Sequence, residues 1–290
     1  QAARRHYSPS ESVNAITVGS VHADASAPRP EDRRTDLLNG SRLPSPISTV
    51  CSGFRRSVKP DILAPGGRQL YDVDMSRAGR QPASFHVTEG IAPPGQQVAL
   101  PGARPMELDR TGYTRGSSNA AAIASRTAAR IHERLTELAA TSAGEALAEV
   151  DTAVVLKCLL AHGADWGPAA EVIDGIFRET ASGLANGDAR KIWRIIEGIK
   201  ARFLGFGEIG PERSMFCTDE RVTLVGWGSL RKDNAHRFDL PLPDTLSGQP
   251  VRRKLTITLA WHTPLNFRHQ KYRQAQLWFD ADGSVVGTDN

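Results

Sequence analysis

The 290-residue sequence has only three cysteines, Cys51, Cys158 and Cys217, odd in number and far apart. No CxxC pair or Cys/His ligand spacing occurs among them, so no structural zinc is expected. Long apolar runs are also missing. The longest fall far short of the ~18–20 residues that a membrane helix needs. There is no internal repeat, no i,i+4 histidine pair with a carboxylate and no Asp-rich loop suited to calcium, so neither metal nor cofactor is expected. Charge of one sign is scarce too. The net +4 arises in residues 1–115, which hold 15 Lys and Arg against 11 Asp and Glu, while the remainder balances at 21 of each. The excess is spread over Arg4, Arg5, Arg33, Arg34, Arg55 and Arg56 in loop-like sequence. Nucleic-acid readers concentrate such residues on one helix or interleave them with aromatics. Neither pattern is present, so the charge reads as solvated loop surface, with no nucleic-acid or membrane partner expected.

What is present is an ordinary globular composition, 40% hydrophobic and 23% charged, in a chain long enough for one large domain or one domain with a small companion. Cys158, inside "AVVLKCLLA", reads as a buried thiol, and reduced cysteines suit a cytoplasmic protein. "VNAITVGSV" (13–21) reads as a buried strand ended by Gly19 and Ser20, and Ile62-Leu63-Ala64 as a brief apolar segment between prolines. The connections 22–58 and 67–115 are rich in Pro, Gly and polar residues, with short strands expected at "ASFHV" and "QQVAL". From Ala120 the pattern turns helical: Ala124, Ala128, Ile131, Leu135 and Leu138 form one stripe. A second helix is expected from an Asp151 N-cap to Gly163, with His162 partly cationic at its C-terminus. Two further helices centre on Val172–Phe177 and run from Asp188 to Phe203. After 211 the period becomes two. "KLTITLAW" places Leu255, Ile257, Leu259 and Trp261 on one face, which predicts antiparallel strands.

The chemistry concentrates at "TGYTRGSSNAAAIAS" (111–125), where a glycine turn leads through two serines into an alanine-rich helix. A serine hydroxyl attacks a carbonyl only when exposed, aligned with a base and facing oxyanion donors. A helix N-terminus supplies such donors, because its first N–H groups lack intrahelical partners. Ser before such a helix is in itself only an N-cap.

"RGSSNAAA" resembles the nucleophile motif of the subtilisin-like serine peptidases: a glycine, a threonine, the catalytic serine, then small residues. The resemblance makes Gly116 the glycine, Ser117 a substitute for the threonine and Ser118 the nucleophile. "PSESVNAITVGSVH" (9–22) is similar to the strand after the family's oxyanion-asparagine region, "SVKPDILAPGG" (57–67) to its Lys-Pro-Asp-Ile…Ala-Pro-Gly signature, and "FLGFGEI" (203–209) to its closing Gly-Tyr-Gly element. Four segments in family order cover about residues 9–210. The resemblance implies an α/β fold with a mostly parallel sheet flanked by helices, incomplete at its N-terminal side and followed by a small antiparallel β-domain. The domains implied are 1–212 and 213–290. Two positions depart from the motif: Asn119 follows the nucleophile, and Ala122 replaces the usual proline.

Asp61, His86 and Ser118 satisfy the Asp, His, Ser order of a subtilisin triad. They are not the triad. Asp61 belongs to the "KPDILAPGG" match, and His86 lacks the small-residue and glycine context of the family's histidine. No Asp-(Ser/Thr)-Gly or His-Gly-Thr motif occurs, and the chain opens on Gln1. The resemblance therefore implies that the catalytic Asp and His and the oxyanion Asn lie upstream, in a missing N-terminal half of the same catalytic domain. The expected activity is serine endopeptidase cleavage of a protein or peptide substrate, silent in this chain alone. The alternative is a non-catalytic protein-binding module on the same fold.

Overall fold

A computed structural model of the protein describes residues 8–26, 34–39, 41–50, 52–74, 84–142, 144–219, 221–239 and 254–279. Cys51, His6, Arg4, Arg5 and Arg33 lie outside the described residues. In chain order the elements are β1 (Val18–Val21), β2 (Arg34–Thr35), β3 (Ile62–Pro65), β4 (Tyr71–Asp74), β5 (Ser84–Val87), β6 (Gln96–Ala99), β7 (Thr111–Thr114), α1 (Ser117–Ala139), α2 (Thr152–His162), β8 (Ala164–Asp165), α3 (Gly167–Leu184), α4 (Ala189–Leu204), β9 (Glu208–Ile209) and α5 (Pro211–Met215). They fall into two compact units, Gln1–Ala129 with Ala164–Gly210, and Arg130–Gly163 with Pro211–Asn290.

The first unit is α/β. Its central sheet has the order β1-β3-β9-β8, parallel between β1 and β3 and between β3 and β9, and antiparallel at β8. Parallel strands are buried on both faces, which accounts for Ile62-Leu63-Ala64; of the strand expected over 13–21, only Val18–Val21 joins the sheet, and Ala15 is exposed. Val21 and Leu63 pack with Ala169 and Ile173 of α3 and Leu204 of α4, with Phe177, Ile199 and Phe203 around them. Each such aliphatic side chain, fully buried, contributes about 1.5–3 kcal/mol. The free edge of β1 is covered by a loop: His22 N–H donates to Leu43 O at 2.8 Å and Ser45 N–H to Ser20 O at 2.7 Å. The connections 22–58 and 67–115 supply two small antiparallel sheets, β2-β4-β5 and the hairpin β6-β7.

The "KPD" and "GFG" segments meet at the start of this sheet. Lys59 is only 1% exposed, and its Nζ donates to Asp61 Oδ2 (2.5 Å) and Ala15 O (2.8 Å). Asp61 Oδ2 also accepts the Thr17 N–H at 2.7 Å, and the Asp61 N–H returns a bond to Thr17 O at 2.8 Å. Across the strand, Phe206 N–H donates to Asp61 O (2.7 Å) and Leu63 N–H to Gly207 O (2.8 Å). A buried ion pair of this kind sets register between β1, β3 and β9.

The second unit packs α2 against α5. Asp151 caps α2 by accepting from Ala153 N–H and Val154 N–H, as its position predicts, whereas Gly163 ends the helix in the right-handed region at φ −75°. Antiparallel strands were expected after residue 211; among the described residues this part holds only the isolated bridges Thr218–Arg221 and Leu265–Arg273, and the period-two segment forms no ladder. Thr258 accepts the Cys158 thiol on its carbonyl oxygen (3.4 Å) and its hydroxyl bonds His162 Nδ1 (3.1 Å), while Leu255, Ile257 and Leu259 stay exposed. Alternation alone does not choose a face; here α2 offers polar atoms, and Thr258 meets them while Thr256 stays exposed. Burial pushes the Cys158 thiol up and His162 down from their ordinary values, so His162 is held neutral rather than cationic. Desolvation of the ring is the cause of the His162 shift.

Replacing Asp61 by alanine leaves Lys59 as an uncompensated buried cation, which is expected to destabilise the protein by about 3–5 kcal/mol in urea unfolding. A loss under about 1 kcal/mol, within the range of an exposed pair, would show that the ion pair does not organise the sheet.

Candidate active site

The parallel strands β1 and β3 end side by side, with Val21 opposite Pro65. Ligand crevices of open α/β sheets lie beyond such carboxyl ends. Here the pairing of the two segments runs on past the strand ends. Gly66 N–H donates to Val21 O at 3.1 Å and Gly67 N–H to Ala23 O at 3.0 Å. Gly66 O in turn accepts the Gly116 N–H at 2.9 Å and Asn119 Nδ2 at 3.2 Å. The approach is so close that a Cβ on Gly66 would lie 1.8 Å from Ser20 Oγ and 2.7 Å from Gly116 O. Gly116 sits at φ +149°, a backbone conformation that L side chains rarely adopt.

Ser117 and Ser118 occupy the first turn of α1, and both are exposed. Their N–H groups have no intrahelical partner, and none elsewhere among the described residues. The Ser118 hydroxyl therefore belongs to the N-terminal turn of a 23-residue helix with two unspent donors, a setting that favours developing negative charge. Behind it Ala120 and Ala124 are buried, which the small side chains of "NAAAIA" allow.

Arg115, one residue before the glycine, clasps the preceding loop. Its guanidinium donates to Pro94 O (2.8 Å), Gly90 O (2.9 Å) and Ala92 O, while Tyr113 N–H takes Ile91 O at 2.9 Å. Burial, with the Arg34 charge nearby, holds the Arg115 guanidinium below its ordinary value, and Asp24 opposes that shift. Asp24 itself is enclosed. It accepts from Ser26 Oγ (2.5 Å), Ser26 N–H (3.0 Å), Arg68 N–H (2.7 Å) and the Arg68 guanidinium (3.2 Å). Burial alone would raise its carboxyl, but these donors outweigh it and hold the group below the usual carboxylate range.

Neither triad candidate of matching order joins Ser118. Asp61 is committed to Lys59 and Thr17, and His86 lies on exposed β5 with its ring 3.5 Å from Ser84 Oγ. His22, with its ring buried, pairs with Asp36 at the end of β1. Its Nε2 is 2.8 Å from Asp36 Oδ1, and its Nδ1 accepts the Gln69 N–H at 3.2 Å. The acceptor role fixes the proton on Nε2, directed at the carboxylate. With both nitrogens engaged and the residue 1% exposed, this pair braces loops and does not serve as a base for Ser118. No group of three or more His, Cys, Asp or Glu among the described residues could hold a metal ion, and no helix among them is long and apolar enough to cross a membrane. The roles of Arg115, Asn119 and Asp24 were not visible in the sequence, since each depends on contacts with residues 2 to 53 positions away.

The first unit is thus an α/β fold in which the N-terminus of α1, with its serine pair, is tied to the carboxyl ends of β1 and β3. The subtilase family describes residues 1–177, more than half of the chain, and the protein belongs to that family. It is also 25% identical over 276 residues to the uncharacterized protein y4bN of Sinorhizobium fredii (strain NBRC 101917 / NGR234), an alignment that covers 94% of this chain and 54% of that protein. The chain thus spans about half the length of the curated relative it matches. No solved structure matches it.

Gly66→Ala forces apart Ser20 and Gly116 and is expected to lower stability by about 1–3 kcal/mol or more, read by thermal unfolding; an unchanged midpoint would refute the close approach. Because the folded Asp24 carboxyl titrates lower than in the unfolded chain, its contribution is present above the unfolded value and lost as pH falls through the folded one. Asp24→Asn should therefore flatten the acid limb of the stability curve below about pH 4. An acid limb as steep as the parent's would count against the assignment.

Proposed function

We propose that the protein is the serine-bearing part of a subtilase endopeptidase, with Ser118 as nucleophile. The observation that carries this reading is the exposed serine at the start of α1, held over the strand ends by Gly66 and Gly116, in a chain of the subtilase family. In this reading Ser118 Oγ attacks the scissile carbonyl of a protein or peptide substrate and gives its proton to a histidine base. The Ser118 N–H stabilises the oxyanion. The amine leaves with the proton returned by the base, and water then hydrolyses the acyl-enzyme. The histidine, its aspartate and the asparagine donor come from outside these 290 residues. In support, Asp61 and His22 are each engaged elsewhere, and His86 lies on exposed β5.

A serine without its base is an ordinary alcohol, and loss of triad members costs orders of magnitude in rate. A fluorophosphonate probe is expected to label the intact protein at Ser118 and to leave the isolated 290-residue chain unlabelled. Ser118→Ala should abolish both labelling and peptide hydrolysis in the intact protein. Hydrolysis retained in that variant would sink the assignment, and strong labelling of the isolated chain would show that the base lies within it. An intact protein that neither labels nor cleaves would favour the non-catalytic binding module.

A further inference from the structure

The residue after Ser118 departs from the family pattern, and the structure gives it a specific task. Asn119 turns its side chain back toward the strand ends. Its Nδ2 donates to Gly66 O at 3.2 Å, and its Oδ1 accepts the Thr114 hydroxyl at 3.1 Å. Gly66 O is therefore held from both sides of the serine: by the Gly116 N–H (2.9 Å) before it and by the Asn119 amide after it. A carbonyl oxygen has two lone pairs, and here each is used. Thr114, the last residue of β7, fixes the orientation of the amide, because a hydroxyl that donates must face the carbonyl end. The Asn119 N–H meanwhile donates to Gly116 O at 3.2 Å, which closes the turn around Ser117 and Ser118. The first turn of α1 can pivot about one hydrogen bond but not about two.

From this geometry we infer that Asn119 is a positioning residue, fixing Ser118 against the carboxyl ends of β1 and β3 through Gly66. The inference rests on the reading of Ser118 as nucleophile. It also removes Asn119 from the oxyanion donors, since its amide is already spent inside the fold.

The test uses the intact protein and the labelling kinetics of a fluorophosphonate probe. Asn119→Ala should lower the maximal labelling rate about 10- to 100-fold with the half-saturating probe concentration unchanged, as a displaced nucleophile requires. Thr114→Val should show a smaller loss, and the double variant no more than the Asn119→Ala loss, because the two residues act as one unit. Asn119→Asp keeps the acceptor for Thr114 but sets a carboxylate against Gly66 O. Its labelling rate relative to the parent should rise as pH is lowered from 8 to 5, because the protonated acid regains a donor. A merely structural role would not produce that pH profile. Parent-like labelling of Asn119→Ala, or a flat ratio for Asn119→Asp, overturns the inference while leaving Ser118 as nucleophile. Label persisting in Ser118→Ala overturns the inference together with the reading beneath it.

Discussion

Between Ser20 of β1 and Gly116 before α1 there is room for a backbone and nothing more. Gly66 occupies that gap, and its carbonyl oxygen is the point on which the serine turn rests. Placing a helix N-terminus over the strand ends requires the chain to approach within hydrogen-bond distance of two strands at once. Only a residue without Cβ allows this. The glycine at 66 is thus a packing requirement first and a motif letter second, and the seating of the serine turn on the strand ends follows from it.

The same logic runs down the sheet. β1, β3 and β9 are only two to four residues long, too short to define register by ladder bonds alone. Register comes instead from polar groups buried with their partners: Lys59 with Asp61, Asp61 with Thr17, and Phe206 with the Asp61 carbonyl. The long connections around the site are fastened in the same way. Asp24 gathers Ser26 and Arg68, and Arg115 gathers three carbonyls of one loop. Such side-chain-to-backbone bonds hold irregular segments that bury too little apolar area to hold themselves. Each is sensitive to the loss of one partner, since the other is then left buried and unpaired.

How legible this was depended on the range of the interaction. β1, the apolar core of β3 and the four long helices could be read from local periodicity, because 3.6-residue and buried-strand patterns are properties of adjacent residues. The serine turn could be read too, since glycine, serine and alanine each have a local reason to be there. What joins Asn119 to Gly66, or His22 to Asp36, leaves no local signature. An asparagine after a serine looks like an ordinary helix residue until the strand end 53 positions earlier is brought beside it. The alternation in residues 254–261 was legible, but not which of its faces would meet α2, nor that the segment forms no ladder. The periodicity is real, but the surface it meets on α2 is polar at Cys158 and His162, so Thr258 turns inward and the aliphatic side does not.

The buried ring of His22 offers a way to watch these loops in solution. One nitrogen is bound to the backbone of the segment that carries Gly66 and Gly67, and the other to the turn that holds Asp36. The two nitrogens are chemically unlike, a bare lone pair on one and a proton on the other. Their nitrogen-15 resonances are therefore separate signals for two different segments, carried by a single side chain. A label on one histidine thus reports independently whether each loop remains seated on the end of β1.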